Sequence, residues 1–109
     1  MRLANKIALV TGATGQLGRQ FCYALAQEGA LIWVSDLDLE LCKEVVSNLN
    51  KNQQHRPLFM DVANPESVQN AFSEIRENTG SPEIIINNAG IAVFEPFEDR
   101  SLDDFMNVM

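Results

Sequence analysis

The 109-residue sequence predicts an α/β fold: a doubly wound parallel sheet, present in part, with strand order 3-2-1-4. Three observations predict it. Short, nearly continuous apolar runs alternate with amphipathic stretches of helical length, the pattern of strands buried on both faces and joined by crossover helices. The first run leads into a glycine-rich turn, Thr11-Gly12-Ala13-Thr14-Gly15-Gln16-Leu17-Gly18. The second run, Leu31 to Asp36, closes on an acidic residue 18 positions beyond Gly18.

The elements follow in order. Lys6 to Thr11 is the first strand. Gln16 to Glu28 is the first helix, with Leu17, Phe21 and Leu25 on one face and Gly29 to stop it. Leu31 to Asp36 is the second strand, and Leu39 to Asn50 the second helix, with Cys42, Val45, Val46 and Leu49 at helical spacing. A polar loop, Lys51 to Arg56, carries the single histidine, His55, read as a solvated side chain. Pro57 to Asp61 is a short third strand. Asn64 and Pro65 supply the cap and first residue of a third helix, whose inward face is Val68, Ala71, Phe72 and Ile75. Gly80-Ser81-Pro82 breaks it, Glu83 to Asn87 is the fourth strand, and Asn88-Ala89-Gly90 follows. A loop from Ile91 to Arg100 leads to Ser101 and Asp104, which resemble a capping box at the start of a fourth helix. Right-handed crossovers that run outward from the first strand and then return give the order 3-2-1-4. They leave a crevice between the carboxyl ends of strands one and four, so the glycine turn and Asn87 to Gly90 meet there.

Composition narrows the partners. The hydrophobic share of 46% suits one globular core, and no apolar run is long enough for a membrane span or the core of a signal peptide. A cytoplasmic protein is expected. Fifteen acidic against eight basic residues, a formal charge of −7, argue against nucleic acid and anionic membranes. Cys22 and Cys42 lie on separate helices without a Cys-x-x-Cys pair or companion histidines, which predicts apolar packing and neither a metal site nor a redox pair.

The glycine turn has a physical use. At a helix start several backbone N–H groups lack intrahelical partners and the helix dipole is positive, so a pyrophosphate meets aligned donors. Glycine is needed where a Cβ would hold off the phosphate or the strand. Asp36 has two readings: it accepts hydrogen bonds from both ribose hydroxyls of an adenosine and repels a 2′-phosphate, or it caps the next helix, as Asp38 also can. Beside the glycine turn, the ribose reading is favoured. Asp61 can likewise cap a loop, and Asn87 and Asn88 can satisfy buried backbone groups at a strand end.

With these motifs in order, the sequence resembles the short-chain dehydrogenase/reductase family over its whole length, as the N-terminal part, residues 1–109, of a Rossmann-like NAD(P)-binding domain. The resemblance implies that Gly12, Thr14, Gly15, Gln16, Leu17 and Gly18 hold the pyrophosphate and that Asp36 holds the adenosine ribose. It implies that Asp61 and the Val62 backbone meet the adenine, and that Asn88, Ala89 and Gly90 line the ribose and nicotinamide side. NAD is preferred over NADP, because Gly15 stands where the family often places a basic residue and Leu37 follows Asp36. The implied reaction is hydride transfer between nicotinamide and a small-molecule carbonyl or secondary alcohol.

Two departures qualify the resemblance. The family's compact branch has glycine where this chain has Gln16, and the spacing Gly12, Gly15, Gly18 is that of the extended branch of sugar-nucleotide epimerases, dehydratases and reductases. Asn87-Asn88-Ala89-Gly90, the longer match, favours the compact branch. The second departure is the absence of the family's Tyr-x-x-x-Lys pair. Tyr23 is the only tyrosine and Gln27 sits four residues on, so Tyr23 is read as packing and no catalytic residue is assigned. The expectation is therefore the cofactor-binding half of an oxidoreductase, inactive alone; the alternative is a non-catalytic dinucleotide-binding or assembly module. A fourth strand left as a bare edge predicts self-association, in keeping with a family of dimers and tetramers.

Overall fold

The computed structural model describes residues 2–51, 53–88 and the backbone of 92–94. Its elements are β1 (Ile7–Thr11), α1 (Gln16–Gln27), β2 (Leu31–Asp36), α2 (Leu39–Asn48), β3 (Arg56–Phe59), α3 (Pro65–Asn78), β4 (Ile84–Asn87) and β5 (Ala92–Phe94). The sheet order is β3-β2-β1-β4-β5, with β1 parallel to both β2 and β4, and β2 parallel to β3. The doubly wound order 3-2-1-4 is thus present.

Period-two alternation builds two cores from the same strands. Ala8, Val10, Ile32, Val34 and Ile86 face α1 and α2, where Cys22, Ala26, Cys42 and Val45 complete one cluster. Leu9, Trp33, Leu58 and Ile85 face α3 and meet Val68, Ala71, Phe72 and Ile75. This α/β/α layering requires strands that are apolar on both faces, which is why their sequences read as continuous hydrophobic runs. Trp33 also ties β2 to the end of α3: its Nε1 donates to Thr79 Oγ1 at 3.0 Å, and Arg56 lies 5.6 Å from its ring centroid.

Several expectations change in three dimensions. The inward face of α1 is Gly18, Cys22 and Ala26, not Leu17, Phe21 and Leu25. The helix lies so close to the sheet that small residues form the seam, while Phe21 and Leu25 flank it half-buried. Leu17 is 59% exposed. Part of the stretch read as a loop, Ala92–Phe94, pairs antiparallel with β4, so the sheet is mixed and the edge of β4 is not bare. The expected fourth helix, with Ser101 and Asp104, lies outside the described residues.

His55 also departs from expectation: it is 8% exposed rather than solvated. Its Nδ1 accepts from the Ile32 amide at 3.0 Å, and Nε2 lies 3.0 Å from the Asn50 carbonyl. An acceptor at Nδ1 fixes the proton on Nε2. The imidazole supplies an acceptor to β2 just before β3 begins, a role that local sequence does not reveal. Burial, with a smaller contribution from the Lys51 charge, lowers the His55 pKa against the opposing Asn50 hydrogen bond. The folded state therefore holds fewer protons than the unfolded chain, and this contribution to stability is complete above the ordinary histidine value of about 6.5. It is lost as pH falls through the lower folded value. Melting followed from pH 7.5 to 5 should show a falling midpoint, and the fall should be smaller in His55→Gln, which keeps an acceptor and a donor. Equal pH slopes in the two proteins would refute this assignment.

The cysteines pack as expected. Both are free and buried, and burial pushes the Cys22 thiol up to about 12 and the Cys42 thiol up to about 11. Thiols so far from ionisation are poor nucleophiles and poor metal ligands. Among the described residues no cluster of potential metal ligands occurs, and no helix is long and apolar enough to cross a membrane.

Candidate functional site

The sheet order reverses at β1, where one neighbour leads outward to β3 and the other to β4. In doubly wound sheets such a reversal opens a crevice at the carboxyl ends of the strands. Here the two sides are bonded together at that end. Thr11 Oγ1 donates to Asn87 Oδ1 at 2.9 Å, and Asn88 Nδ2 donates to the Gly12 carbonyl at 3.1 Å. The asparagines thus fasten the exit of β4 to the glycine turn. Ala89 and Gly90 lie outside the described residues.

Two glycines shape the turn for different reasons. Gly12 has φ 62°, a conformation that costs other residues a Cβ clash. Gly18 is fixed by space: a Cβ there would stand 2.2 Å from the Gly12 oxygen, 2.7 Å from Ala13 Cα and 2.9 Å from the Gly12 carbonyl carbon. The first turn of α1 is thereby pressed onto the end of β1. Gly15 closes the turn by donating to the Gly12 carbonyl at 3.4 Å.

The start of α1 differs from the other helix starts. Asp38 caps α2 by accepting from Glu40 and Leu41, and Asn64 caps α3 by accepting from Glu66 and Ser67, with Pro65 first in the helix. At α1, Gly15 is the cap residue, no side chain caps the N–H groups, and no acidic residue lies in the first turn. Exposed Gln16 and Leu17 begin that helix. A phosphate would meet these donors without displacing a capping side chain or an acidic residue of the helix's first turn.

Since Asp38 serves as the cap of α2, Asp36 is available to the turn. Its Oδ2 accepts from the Thr14 amide at 3.1 Å and from the Thr14 hydroxyl at 2.5 Å, while Oδ1 accepts from the Leu37 amide at 2.8 Å. Partial burial pushes the Asp36 pKa upward, but the Thr14 and Leu37 hydrogen bonds outweigh it and hold the carboxyl below the ordinary value. At neutral pH it is an acceptor-only group beside the turn.

Arg19 is a residue that sequence reasoning missed. Its Nε donates to the Thr14 carbonyl at 2.9 Å, and its Nη1 lies 3.9 Å from Glu44 Oε1 on α2. A basic residue one step past the last glycine carries no distinctive signal in sequence, because its partner depends on how the turn folds back.

Asp61 and Val62 sit at the neighbouring strand end, brought there by the Met60 amide donating to the Asp36 carbonyl at 3.1 Å. Asp61 Oδ1 accepts from the Ala63 amide at 3.0 Å, and the Asp61 amide donates to Ser67 Oγ at 2.9 Å. It thus shapes the approach to α3. Val62 packs half-buried on the α3-side core. Tyr23 lies part-buried on the α1 and α2 core, a packing position away from the turn.

Comparison with known proteins agrees with this fold. The profile of a family described as short chain dehydrogenase matches residues 6–109. The chain is 37% identical to D-threitol dehydrogenase from Mycolicibacterium smegmatis over 95% of its own length and 40% of the relative's. It is 34% identical to the bovine 15-hydroxyprostaglandin dehydrogenase [NAD(+)] over 84% of its length and 35% of that protein's. Among solved structures, that of gox2181 superposes with a TM-score of 0.72 at 36% identity, covering 77% of this chain and 33% of the other. The chain spans less than half the length of the curated relatives it matches.

Proposed function

Because the chain belongs to the short-chain dehydrogenase/reductase family, we propose that it is the dinucleotide-holding part of an NAD-dependent oxidoreductase. The observation that carries this reading is the pairing of an uncapped α1 start with the Asp36 carboxylate across one tight turn. The N–H groups at the helix start suit a pyrophosphate, and the carboxylate suits ribose hydroxyls. Gly12, Thr14, Gly15, Gln16, Leu17 and Gly18 hold the phosphate side, Asp36 the ribose, and Asp61 and Val62 flank the adenine. Asn88 is assigned to the ribose and nicotinamide side; Ala89 and Gly90, to which the family resemblance gives the same role, lie outside the described residues.

The bound cofactor supplies hydride transfer, and this segment binds and orients it. The family's tyrosine and lysine pair does not occur in these 109 residues, and no acid/base residue is assigned within them. Preference for NAD is supported by the ionised Asp36, which would repel a 2′-phosphate. It is supported too by Arg19, the nearby cation, which is already engaged by the Thr14 carbonyl and faces Glu44. A secondary alcohol or the matching carbonyl is the proposed substrate class, in keeping with the names of D-threitol dehydrogenase and meso-2,3-butanediol dehydrogenase. Assembly into homo-oligomers is proposed as well.

Calorimetric titration tests the central claim. NAD should bind more tightly than NADP, and neither should need a metal. Binding of neither dinucleotide, or tighter binding of NADP, would overturn it.

A further inference from the structure

We propose that the amino end of the sheet carries a second binding site, opposite the glycine turn, which takes a small organic carboxylate on Arg56. It stands independently of the dinucleotide reading.

A cavity of about 370 Å³ opens where the strands begin. Ile7, Leu31 and Arg56, the first residues of β1, β2 and β3, line it, so it lies at the far end of the strands from Thr11 and Asp36. Its volume falls in the range of small-molecule sites. None of the lining residues is acidic, although the chain carries fifteen acidic residues against eight basic ones.

Arg56 makes this cavity suited to an anion. The residue is half-buried, yet among the described residues its guanidinium has no ion pair and no hydrogen-bond acceptor. It lies instead over the Trp33 ring, 5.6 Å from the centroid. Trp33 is itself buried, and its Nε1 bond to Thr79 Oγ1 at 3.0 Å fastens the ring from below. This platform holds the guanidinium while its N–H groups stay unspent. Their forked geometry matches the two oxygens of a carboxylate.

Charge and lining narrow the ligand. Lys6, the other cation of the lining, lies 3.3 Å from Glu83 Oε2, so those two charges offset each other and one positive charge is left. A monocarboxylate matches that charge better than a phosphate monoester, which is close to doubly charged. Ile7 and Leu31 offer half-buried apolar surface. The carboxamides of Asn5 and Gln54 offer donors and acceptors. The ligand that fits is a monocarboxylate with a short apolar chain and an amide or hydroxyl group.

Trp33 is the only tryptophan, so its fluorescence reports on the ring that Arg56 covers. N-acetyl-L-valine, its uncharged amide and inorganic phosphate are titrated into the chain, with the Trp33 indole N–H resonance followed by NMR as a second readout. N-acetyl-L-valine should give a saturable change with a Kd in the millimolar range or below. The uncharged amide should bind about tenfold more weakly or worse, and Arg56→Gln should lose about as much for the carboxylate, the effect of hydrogen bonds to a charged group. Arg56→Lys, which keeps the charge without the fork, should fall between, and it carries the comparison if the glutamine variant does not fold. Saturating NAD should leave the response unchanged. No saturable response in either readout, equal binding of carboxylate and amide, or equal binding to wild type and the Arg56 variants would overturn the proposal. So would tighter binding of phosphate, or displacement of N-acetyl-L-valine by NAD. Absence of NAD binding would bear only on the dinucleotide reading.

Discussion

Gly18→Ala is expected to destabilise the fold by about 3 kcal/mol, the upper part of the usual range for overpacking. All three close atoms that the new Cβ would meet, at 2.2, 2.7 and 2.9 Å, are backbone, so no side chain can rotate away. Either α1 lifts from β1 or the turn at Gly12 and Ala13 moves, and both would disturb the seam that Cys22 and Ala26 continue. Gly15→Ala is the control: its Cβ would meet only the Gly12 oxygen at 3.6 Å, an ordinary contact. At this helix cap the alanine should cost no more than about 1 kcal/mol. Urea denaturation of the two variants beside wild type measures the difference. Similar midpoints for both variants would show that the turn yields more easily than close packing allows.

Asp36→Ala should weaken NAD binding by about 10- to 100-fold, the effect of losing hydrogen bonds to a charged acceptor. NADP affinity should fall less or rise, because the repelling carboxylate is gone. The preference between the two cofactors is the decisive reading, since a general loosening of the site would weaken both alike. The pH dependence has a definite sign. The Asp36 carboxyl is held below its ordinary value, so its contribution is complete above about 3.9, the unfolded aspartate value. It is lost as pH falls through the lower folded value. NAD binding should therefore be steady through neutral pH; a midpoint of loss near pH 6 would assign the effect to another group.

The legible part of the molecule was that in which local pattern and tertiary role coincide. Runs such as Leu31 to Val34 are apolar on both faces because helices cover both faces, so alternating strands and helices already implied layers and order. Asn64 and Pro65 announced the start of α3 because capping is a local interaction. The turn and Asp36 were legible as a pair because their chemistry depends on residue type and approximate spacing. Arg19 was not, since a surface arginine next to a glycine has many possible partners and only the folded turn selects the Thr14 carbonyl.

By itself, then, the sequence determined the α/β class, the strand order and the end of the sheet at which the glycine turn, Asp36 and Asn88 gather. These follow from periodicity, crossover handedness and glycine placement, all of which act over short stretches or by general rule. Tertiary structure alone decided that α1 buries Gly18, Cys22 and Ala26 while Leu17 stays outside, because the distance between helix and sheet is fixed by the turn below it. It also decided that His55 completes the bonding of β2, that Ala92–Phe94 pairs with β4, and that Thr14 commits its hydroxyl proton to Asp36. Each joins groups distant in sequence or turned toward one another only by folding, so the chain carries no local mark of it.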